Sequence, residues 1–499
     1  MQLAELVRAA GVAAEVRGDR AVDISGLAYD SGAAGPGSLF FCVRGLRSDG
    51  HDFAARAVEN GASALVVERP LDLGVPELEV ADARAAMAPL AAAFHGDPSA
   101  ELITVGITGT NGKTTTAFLV RRLLESAGLR SGLLGTVRRI VGGEAEEVER
   151  TTPEAIDLQA TFARMLAAGD RACVMEVSSH ALVLHRADAI HFDAKVFTNL
   201  TQDHLDFHAD MDDYFAAKRL LFGGAEQTPG EPGGGIAVVN VDDPYGRRLA
   251  ADLATSPGGL VTFSAAGADA DLSAGDVSFD AGGARFRART PAGELEVTTP
   301  LPGHFNVENA VAALATAQAL GLDLPQAAAA LAEADPVPGR FEPIDEGQPF
   351  GVLVDYAHTP DSLENVLEAA RRLTSGRLIS VFGCGGDRDR DKRPLMGRAA
   401  AEGSDLAVIT SDNPRSEDPG AIIAQILAGI EDESRREERG EVIVEADRRA
   451  AIVLALTEAA AGDMVVIAGK GHEQGQEFEN GRKLPFDDRD VAREELRRL

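Results

Sequence analysis

Between residues 106 and 116 the chain reads Gly106-Ile-Thr-Gly-Thr-Asn-Gly-Lys-Thr-Thr-Thr116, glycines followed at once by an amine and a run of hydroxyls. An apolar run, 102–105, precedes it and an amphipathic stretch, 117–127, follows, so the order is strand, glycine loop, helix. The backbone N–H groups of such a loop, with the positive end of the helix dipole, bind phosphate oxygens. Lys113 would meet the β and γ phosphates of ATP or GTP, and Thr114 would hold magnesium. The usual phosphate loop places a glycine five positions before its Gly-Lys pair, where this chain has Ile107, with Gly106 and Gly109 on either side.

In parallel α/β sheets ligands gather beyond the carboxyl ends of strands, and the strand exits of this sequence are polar. In the middle of the chain they are Glu176-Val-Ser-Ser-His180 and Asn199-Leu-Thr-Gln-Asp-His-Leu-Asp206. Glu176, an acid emerging from an apolar strand, is a candidate magnesium ligand, and His204 a candidate for a second ion. A surface carboxylate and a hydrogen-bonded loop histidine are the plain alternatives. Lys218 is a sharper signal, because Tyr214, Leu221 and Phe222 stand at helical spacing from it on one apolar face, where an amine is costly unless paired or modified. It either snorkels to water or, as the nearby acid and histidine favour, reacts with carbon dioxide to give an anionic carbamate. Further on, Asp355-Tyr-Ala-His358, Gly383-Cys-Gly-Gly-Asp-Arg388, Asp412-Asn-Pro-Arg415 and Gly469-Lys-Gly-His-Glu473 put acids, amides and guanidinium groups on one edge, as a zwitterionic small molecule requires. Each alone is an ordinary turn; four on one edge call for a site.

These groups need at least two sheets to carry them, and 499 residues supply two to four domains. Residues 1–98 read as a small α/β domain with short strands at 38–43 and 64–68. Residues 99–335 read as a doubly wound nucleotide-binding core, interrupted by a Gly/Pro loop, 223–235, and a β-rich insertion, 271–300, before a helix at 306–320. The prolines and glycine of 335–339 end an alanine-rich helix. Beyond them, residues 336–499 carry strands near Val352, Leu378, Leu406, Val442 and Met464, separated by helical patterns such as 361–373, the signature of a second parallel sheet.

A formal net charge of −31 argues against nucleic-acid and anionic-membrane partners. No stretch reaches membrane-spanning length and the first residues do not read as a leader, so a cytoplasmic protein is expected. Cys42, Cys173 and Cys384 show neither disulfide nor zinc spacing and read as core residues. The only lysines are Lys113, Lys195, Lys218, Lys392, Lys470 and Lys483. In a chain where arginine is the default cation, a lysine marks a need for a compact or deprotonatable amine, and Lys113, Lys218 and Lys470 fall in segments already singled out.

Taken with Gly303-His-Phe-Asn-Val-Glu-Asn-Ala310 and the Thr-Pro that follows His358, these motifs resemble the Mur ligase family, ATP-dependent amide-forming enzymes of bacterial cell-wall synthesis, over essentially the whole chain. The resemblance implies three α/β domains: 1–98 for a UDP-sugar, a central P-loop domain, 99–335, for ATP, and a Rossmann-like parallel-sheet domain, 336–499, for an amino acid. It implies that ATP phosphorylates the D-glutamate of UDP-N-acetylmuramoyl-L-alanyl-D-glutamate and that an amine of meso-2,6-diaminopimelate displaces the phosphate. By position, Thr114, Glu176, His204 and carbamylated Lys218 would organise Mg2+. Gly109, Thr110, Asn111, Gly112, Lys113, Thr114, Thr115, Asn306, Asn309, Arg340 and Asp355 would bind the nucleotide. The uridine nucleotide would lie near Tyr29, Ser31, Gly45, Leu46 and Arg47, and the muramoyl dipeptide near Thr151, Thr152, Ser178 and Arg186. Arg388, Asp412, Asn413, Pro414, Arg415, Gly469 and Glu473 would form the amino-acid pocket. Arg415 would choose the amino acid, because a planar guanidinium grips the distal carboxylate that lysine lacks. Arg150 and Leu184 depart from the family's polar pattern.

The resemblance further implies domain closure, with 335–339 as candidate hinge, and a monomer is expected. Three rivals share parts of this pattern: a lysine-adding enzyme of the same type, a folylpolyglutamate synthetase, and a P-loop switch or motor. The first does not need Arg415, the second leaves 1–98 and Asp-Asn-Pro-Arg unexplained, and the third would release phosphate without an amino acid.

Overall fold

The computed structural model describes residues 1–45, 48–148, 150–223, 234–255, 258–430 and 440–499. Leu46 and Arg47 lie outside the described residues, as does most of the Gly/Pro loop.

Short apolar runs build the first sheet, of which Ser38–Phe41 and Ala64–Val67 are buried along their full length. Its strand order is Glu15–Arg17, Glu77–Glu79, Ala64–Val67, Ser38–Phe41, Gly26–Ala28, with the first pair antiparallel and the rest parallel. Helix Ala83–His95 starts where the Asp82 carboxylate accepts from the N–H groups of Arg84 and Ala85. Its apolar face joins a core that also takes in Ala155 and Ile156 of the next unit, so the first sheet is anchored to the second.

The second sheet is built on parallel strands in the order Ser131–Leu134, Ala172–Glu176, Ile103–Thr108, Ala194–Phe197, Ile236–Asn240, Leu260–Ser264. Helices Lys113–Ser126 and His304–Ala319 cover one face, through Leu119, Leu123, Val311 and Leu314. Helix Ala155–Ala168 and helix Met211–Arg219 cover the other, through Phe162 and Phe215. The β-rich insertion expected over 271–300 is a continuation of this sheet: Phe263 and Ser264 pair with Leu272 and Ser273, and strands Gly283–Thr290 and Gly293–Thr299 add at the edge. Alternation explains it, since Ala284, Phe286 and Ala288 turn inward and join the core formed with helix His304–Ala319. The helix carrying Lys218 is also shorter than its pattern suggests, ending at Arg219 with a 3-10 turn, Leu220–Phe222.

The third sheet runs Glu342–Pro343, Gly351–Asp355, Met464–Ala468, Leu378–Phe382, Leu406–Ile409, Glu441–Val444, and all but the first strand are parallel. Separate apolar clusters lie on its two faces. The chain is thus α/β and three-layered twice over. The carboxyl ends of both parallel sheets carry the polar exits, and these are where the two units meet.

Candidate active site

Strand Ile103–Thr108 delivers the glycine loop, and the helix begins at Lys113. Gly112 has φ 83°, and a Cβ there would lie 2.4 Å from Asn309 Oδ1, so both backbone and space demand glycine. Asn309 in turn accepts from Thr116 Oγ1 (3.1 Å) and donates to Asn306 Oδ1 (3.2 Å), and Asn306 donates to the Pro302 carbonyl (2.8 Å). These two asparagines brace the loop from behind. Lys113 Nζ folds onto the loop, donating to the carbonyls of Gly109 (2.9 Å) and Thr110 (2.7 Å). Enclosure lowers its pKa against the pull of Glu176 and Asp203. Thr114 Oγ1 donates to Glu176 Oε2 (3.0 Å), and Thr136 adds its N–H to Oε1 (2.7 Å) and its hydroxyl to Oε2 (3.0 Å).

Lys218 is 1% exposed and its Nζ donates to the same Gly109 carbonyl at 2.8 Å, while lying 4.5 Å from the Tyr214 ring centroid. Burial first, and then the charge of Lys113, hold its amine well below the ordinary lysine value. His204 stands in the left-handed region, φ 57°, with Nε2 3.3 Å from Asp203 and its ring 4.8 Å from that of His180. Burial lowers its pKa to about 3, against the opposing charge of Asp203. Among the described residues no group of three or more His, Cys, Asp or Glu side chains is gathered as a metal cage.

The third sheet closes over this loop. Arg340 Nη2 donates to Thr114 Oγ1 (3.1 Å), and its guanidinium lies 4.3 Å from the Tyr356 ring centroid. Asn111 Nδ2 donates to Asp361 (2.8 Å), and Asp203 has His358 Nε2 at 3.7 Å and Lys392 Nζ at 3.9 Å. Asp355 is fixed by the N–H groups of Phe341 (2.6 Å) and Ala357 (2.7 Å), and burial raises its pKa. Between the two units lies a cavity of about 490 Å3, lined by Lys113, Thr115, Glu176, Ser178 and Lys218 on one side and by Arg340, Asp355, Tyr356 and His358 on the other.

The remaining exits adjoin this cavity through Tyr356, whose hydroxyl donates to Glu473 Oε1 (3.5 Å). Glu473 Oε2 accepts from Asn413 Nδ2 (2.8 Å) and from Lys470 Nζ (2.9 Å), and Lys470, fully buried, also donates to Asn413 Oδ1 (2.8 Å). Asp412 and Asn413 are buried, and a Cβ on Gly469 would stand 2.8 Å from Asp412 Oδ2. Past Pro414, Arg415 gives Nε to Glu477 (2.9 Å) and Nη1 to the Gly386 carbonyl (2.7 Å). Arg388, exposed, and Arg415 both approach Gly385, 3.8 and 3.1 Å from where a Cβ would stand.

Toward the first sheet, Thr151 Oγ1 lies 3.0 Å from Thr136 Oγ1, Thr152 Oγ1 donates to the Glu176 carbonyl (2.9 Å), and the Ser178 N–H donates to Thr152 Oγ1 (3.2 Å). Arg186 donates to the Thr152 carbonyl (3.3 Å) and pairs with the buried Glu154 at 2.9 Å. Arg84 and Arg150 also pair with Glu154, each at 3.0 Å. Tyr29, which donates to Asp157 (2.7 Å), Ser31 and Gly45 do not line the cavity. Sequence reasoning gave no role to Asp203, Asp361, Lys392, Glu154 and Glu477, although Asp203 stood inside the 199–206 motif and Lys392 among the rare lysines. Lys470 carried a signal in the rarity of lysine, and Tyr356 and His358 stood inside a quoted motif.

A glycine loop between strand and helix, facing a second sheet whose strand exits are polar, defines the layout of a nucleotide-dependent enzyme built of two opposed α/β units. Family models bear this out along the chain: the Mur ligase middle domain matches residues 107–317, the Mur ligase glutamate ligase domain 339–471, and the Mur ligase family catalytic domain 23–95. The chain is 50% identical over 503 aligned residues to the UDP-N-acetylmuramoyl-L-alanyl-D-glutamate–2,6-diaminopimelate ligase of Streptomyces coelicolor, covering 99% of this chain and 96% of that protein. A solved structure of a UDP-N-acetylmuramoyl-L-alanyl-D-glutamate–2,6-diaminopimelate ligase superposes with TM-score 0.69 at 32% identity, over 100% of this chain and 99% of its own. A folylpolyglutamate synthase from Mycobacterium tuberculosis, solved with ADP and AMPPCP, shares the fold at TM-score 0.63 and 19% identity but covers 78% of this chain and 93% of its own. The chain belongs to the Mur ligase family.

Proposed function

We propose that this chain is an ATP-dependent ligase that joins meso-2,6-diaminopimelate to the D-glutamate of UDP-N-acetylmuramoyl-L-alanyl-D-glutamate, a step in making peptidoglycan precursors. The observation that carries the reading is an unbroken run of contacts from the loop to the 412–415 turn: Thr114 to Arg340, Arg340 to Tyr356, Tyr356 to Glu473, Glu473 to Asn413. A phosphorylated carboxyl and an attacking amine must come within about 3.5 Å, and such a run lets one cavity serve both.

In this reading residues 109–115, Asn306, Asn309, Arg340 and Asp355 hold ATP. Tyr29, Ser31, Gly45, Thr151, Thr152, Ser178 and Arg186 hold the UDP-muramoyl dipeptide. Arg388, residues 412–415, Gly469 and Glu473 hold the amino acid. Residues 1–98, 99–335 and 336–499 are the corresponding domains. The Thr114 hydroxyl and the Glu176 carboxylate, hard oxygen donors 3.0 Å apart, suit Mg2+, with His204 and carbamylated Lys218 as its further proposed holders. A bound ion would offset phosphate charge during transfer. Lys113 turns from the loop carbonyls to the transferring phosphoryl group, and the loop N–H groups stabilise charge developing there. A carboxylate is a poor electrophile until phosphorylated; as an acyl phosphate it yields to the amine and phosphate leaves. Arg415 retains donors beyond its bonds to Glu477 and Gly386, enough to grip a distal carboxylate. In this reading the enzyme works in the cytoplasm as a monomer.

The test offers UDP-muramoyl dipeptide and ATP with meso-diaminopimelate, with lysine, or with neither. Phosphate release is expected only with diaminopimelate, and equal rates in all three arms would falsify the assignment.

A further inference from the structure

Resting on that reading, the reaction leaves one proton without an owner. An aliphatic amine is protonated at neutral pH and an ammonium has no lone pair, so something in the cavity must take a proton before the acyl phosphate can be attacked. We propose that His358 is this general base, through Nε2.

The tautomer follows from one hydrogen bond. His358 Nδ1 lies 2.8 Å from the Tyr356 carbonyl oxygen, which can only accept, so Nδ1 carries the hydrogen. In the neutral ring Nε2 is then the bare nitrogen, on a side chain that is 38% exposed and lines the same cavity as Lys113 and Glu176. The other imidazoles around the site are spoken for. His180 and His472 do not line the cavity, and His204, which does, has its Nε2 3.3 Å from Asp203. His304 faces Glu308 at 3.6 Å.

Around the ring, Asp203 lies 3.7 Å from Nε2 with Lys392 beside it at 3.9 Å, and Arg340 lies over the Tyr356 ring. The position is right for an amine anchored in the third unit. The Tyr356 ring packs against His358 with centroids 4.6 Å apart, while its hydroxyl reaches Glu473. An amino acid held at Glu473 and Arg415 therefore runs along Tyr356 toward His358. In the step itself, the Nε2 lone pair takes a proton from the ammonium and the freed amine attacks the acyl carbon. A C–N bond forms, the C–O bond to phosphate breaks, and the phosphate leaves with the electron pair. The second amine proton goes to the departing phosphate or water, and the imidazolium rests between Asp203 and the Tyr356 carbonyl.

His358→Gln keeps a polar group of similar reach without the base. In single turnovers with ATP and UDP-muramoyl dipeptide, acyl phosphate formation, measured by borohydride reduction, is expected to match the unaltered enzyme. Amide formation with meso-diaminopimelate should fall about a hundredfold or more. Hydroxylamine, which is unprotonated at neutral pH and needs no base, should still capture the acyl phosphate at close to the unaltered rate. Equal losses with diaminopimelate and hydroxylamine, or an equal loss in acyl phosphate itself, would assign His358 a merely structural role and overturn the proposal. An unaltered enzyme that forms no acyl phosphate would instead sink the ligase reading, and this inference with it.

Discussion

The amines of Lys113 and Lys218 converge on a single acceptor, the carbonyl of Gly109, at 2.9 and 2.8 Å. Burial disfavours both charges, and two ammonium ions sharing one acceptor repel further, by on the order of a few kcal/mol at an effective dielectric of about 20. The depressed pKa of Lys218 follows, and a neutral amine is the form that reacts with carbon dioxide. A carbamate there turns repulsion with Lys113 into attraction and adds oxygen donors near Thr114 and Glu176, a change arginine cannot undergo. Replacing Lys218 with alanine or arginine is therefore expected to lower ligation about a hundredfold or more. Acetate should restore part of the activity to the alanine variant, whose vacated space admits a small carboxylate, and none to the arginine variant. Phosphate release with all three substrates, with and without acetate, measures this, and an arginine variant working at the unaltered rate would remove the carbamate from the account.

Helix His304–Ala319 braces the loop through Asn306 and Asn309 and, between them, sets Glu308 on the cavity wall, its side chain about a third exposed. Burial and then the charges of Asp242, Asp361 and Asp243 raise the Glu308 pKa from 4.5 to about 7. The native state thus holds a proton that the unfolded chain has released, and linkage fixes the sign: stability present below about pH 4.5 is lost progressively as pH rises to about 7. Glu308→Gln removes the ionisation, so its melting temperature should exceed that of the unaltered protein at pH 8 and the gap should narrow at pH 5; a gap independent of pH would mean that Glu308 does not titrate in this way. No sequence pattern announces such an acid, because its neighbours come from positions 242, 243 and 361. The same separation explains what was and was not legible in the site. The loop, Glu176 and the residues after Asp355 and Asp412 could be read because each follows directly on its own strand. Asp203 with His358 and Lys392, or Glu154 with Arg84 and Arg186, could not, since only the packing of distant elements brings those charges together. The strands at 283–299 were legible as strands, while their membership of the central sheet depended on the pairing of Ser264 with Ser273.

Over the whole molecule, the second and third units keep largely separate apolar cores, with Phe305 packing across onto Phe341. Polar contacts make up much of the seam: Arg340 with Thr114, Asn111 and Thr201 with Asp361, Asp203 with His358 and Lys392. Such contacts are individually worth little when water can replace them, so we expect this seam to open and close, as chemistry shared between two domains would use. We take 335–339 as the pivot of that motion. Gly339 has φ 64°, and a Cβ there would stand 2.2 Å from the His472 nitrogen and 2.3 Å from the Gly471 carbonyl carbon, so two backbones pass in direct contact where the chain crosses between units. A nucleotide and UDP-muramoyl dipeptide held as proposed would contact both sides of the cavity and should therefore shift the population toward the closed form. Small-angle scattering is expected to show a smaller radius of gyration with a non-hydrolysable ATP analogue and the dipeptide than without them. Asp361→Ala, which removes two seam contacts but no phosphate contact, should enlarge the free protein and leave the liganded profile nearly unchanged. Identical profiles with and without ligands, in both proteins, would mean that the third unit does not move and that the cavity admits its substrates as it stands.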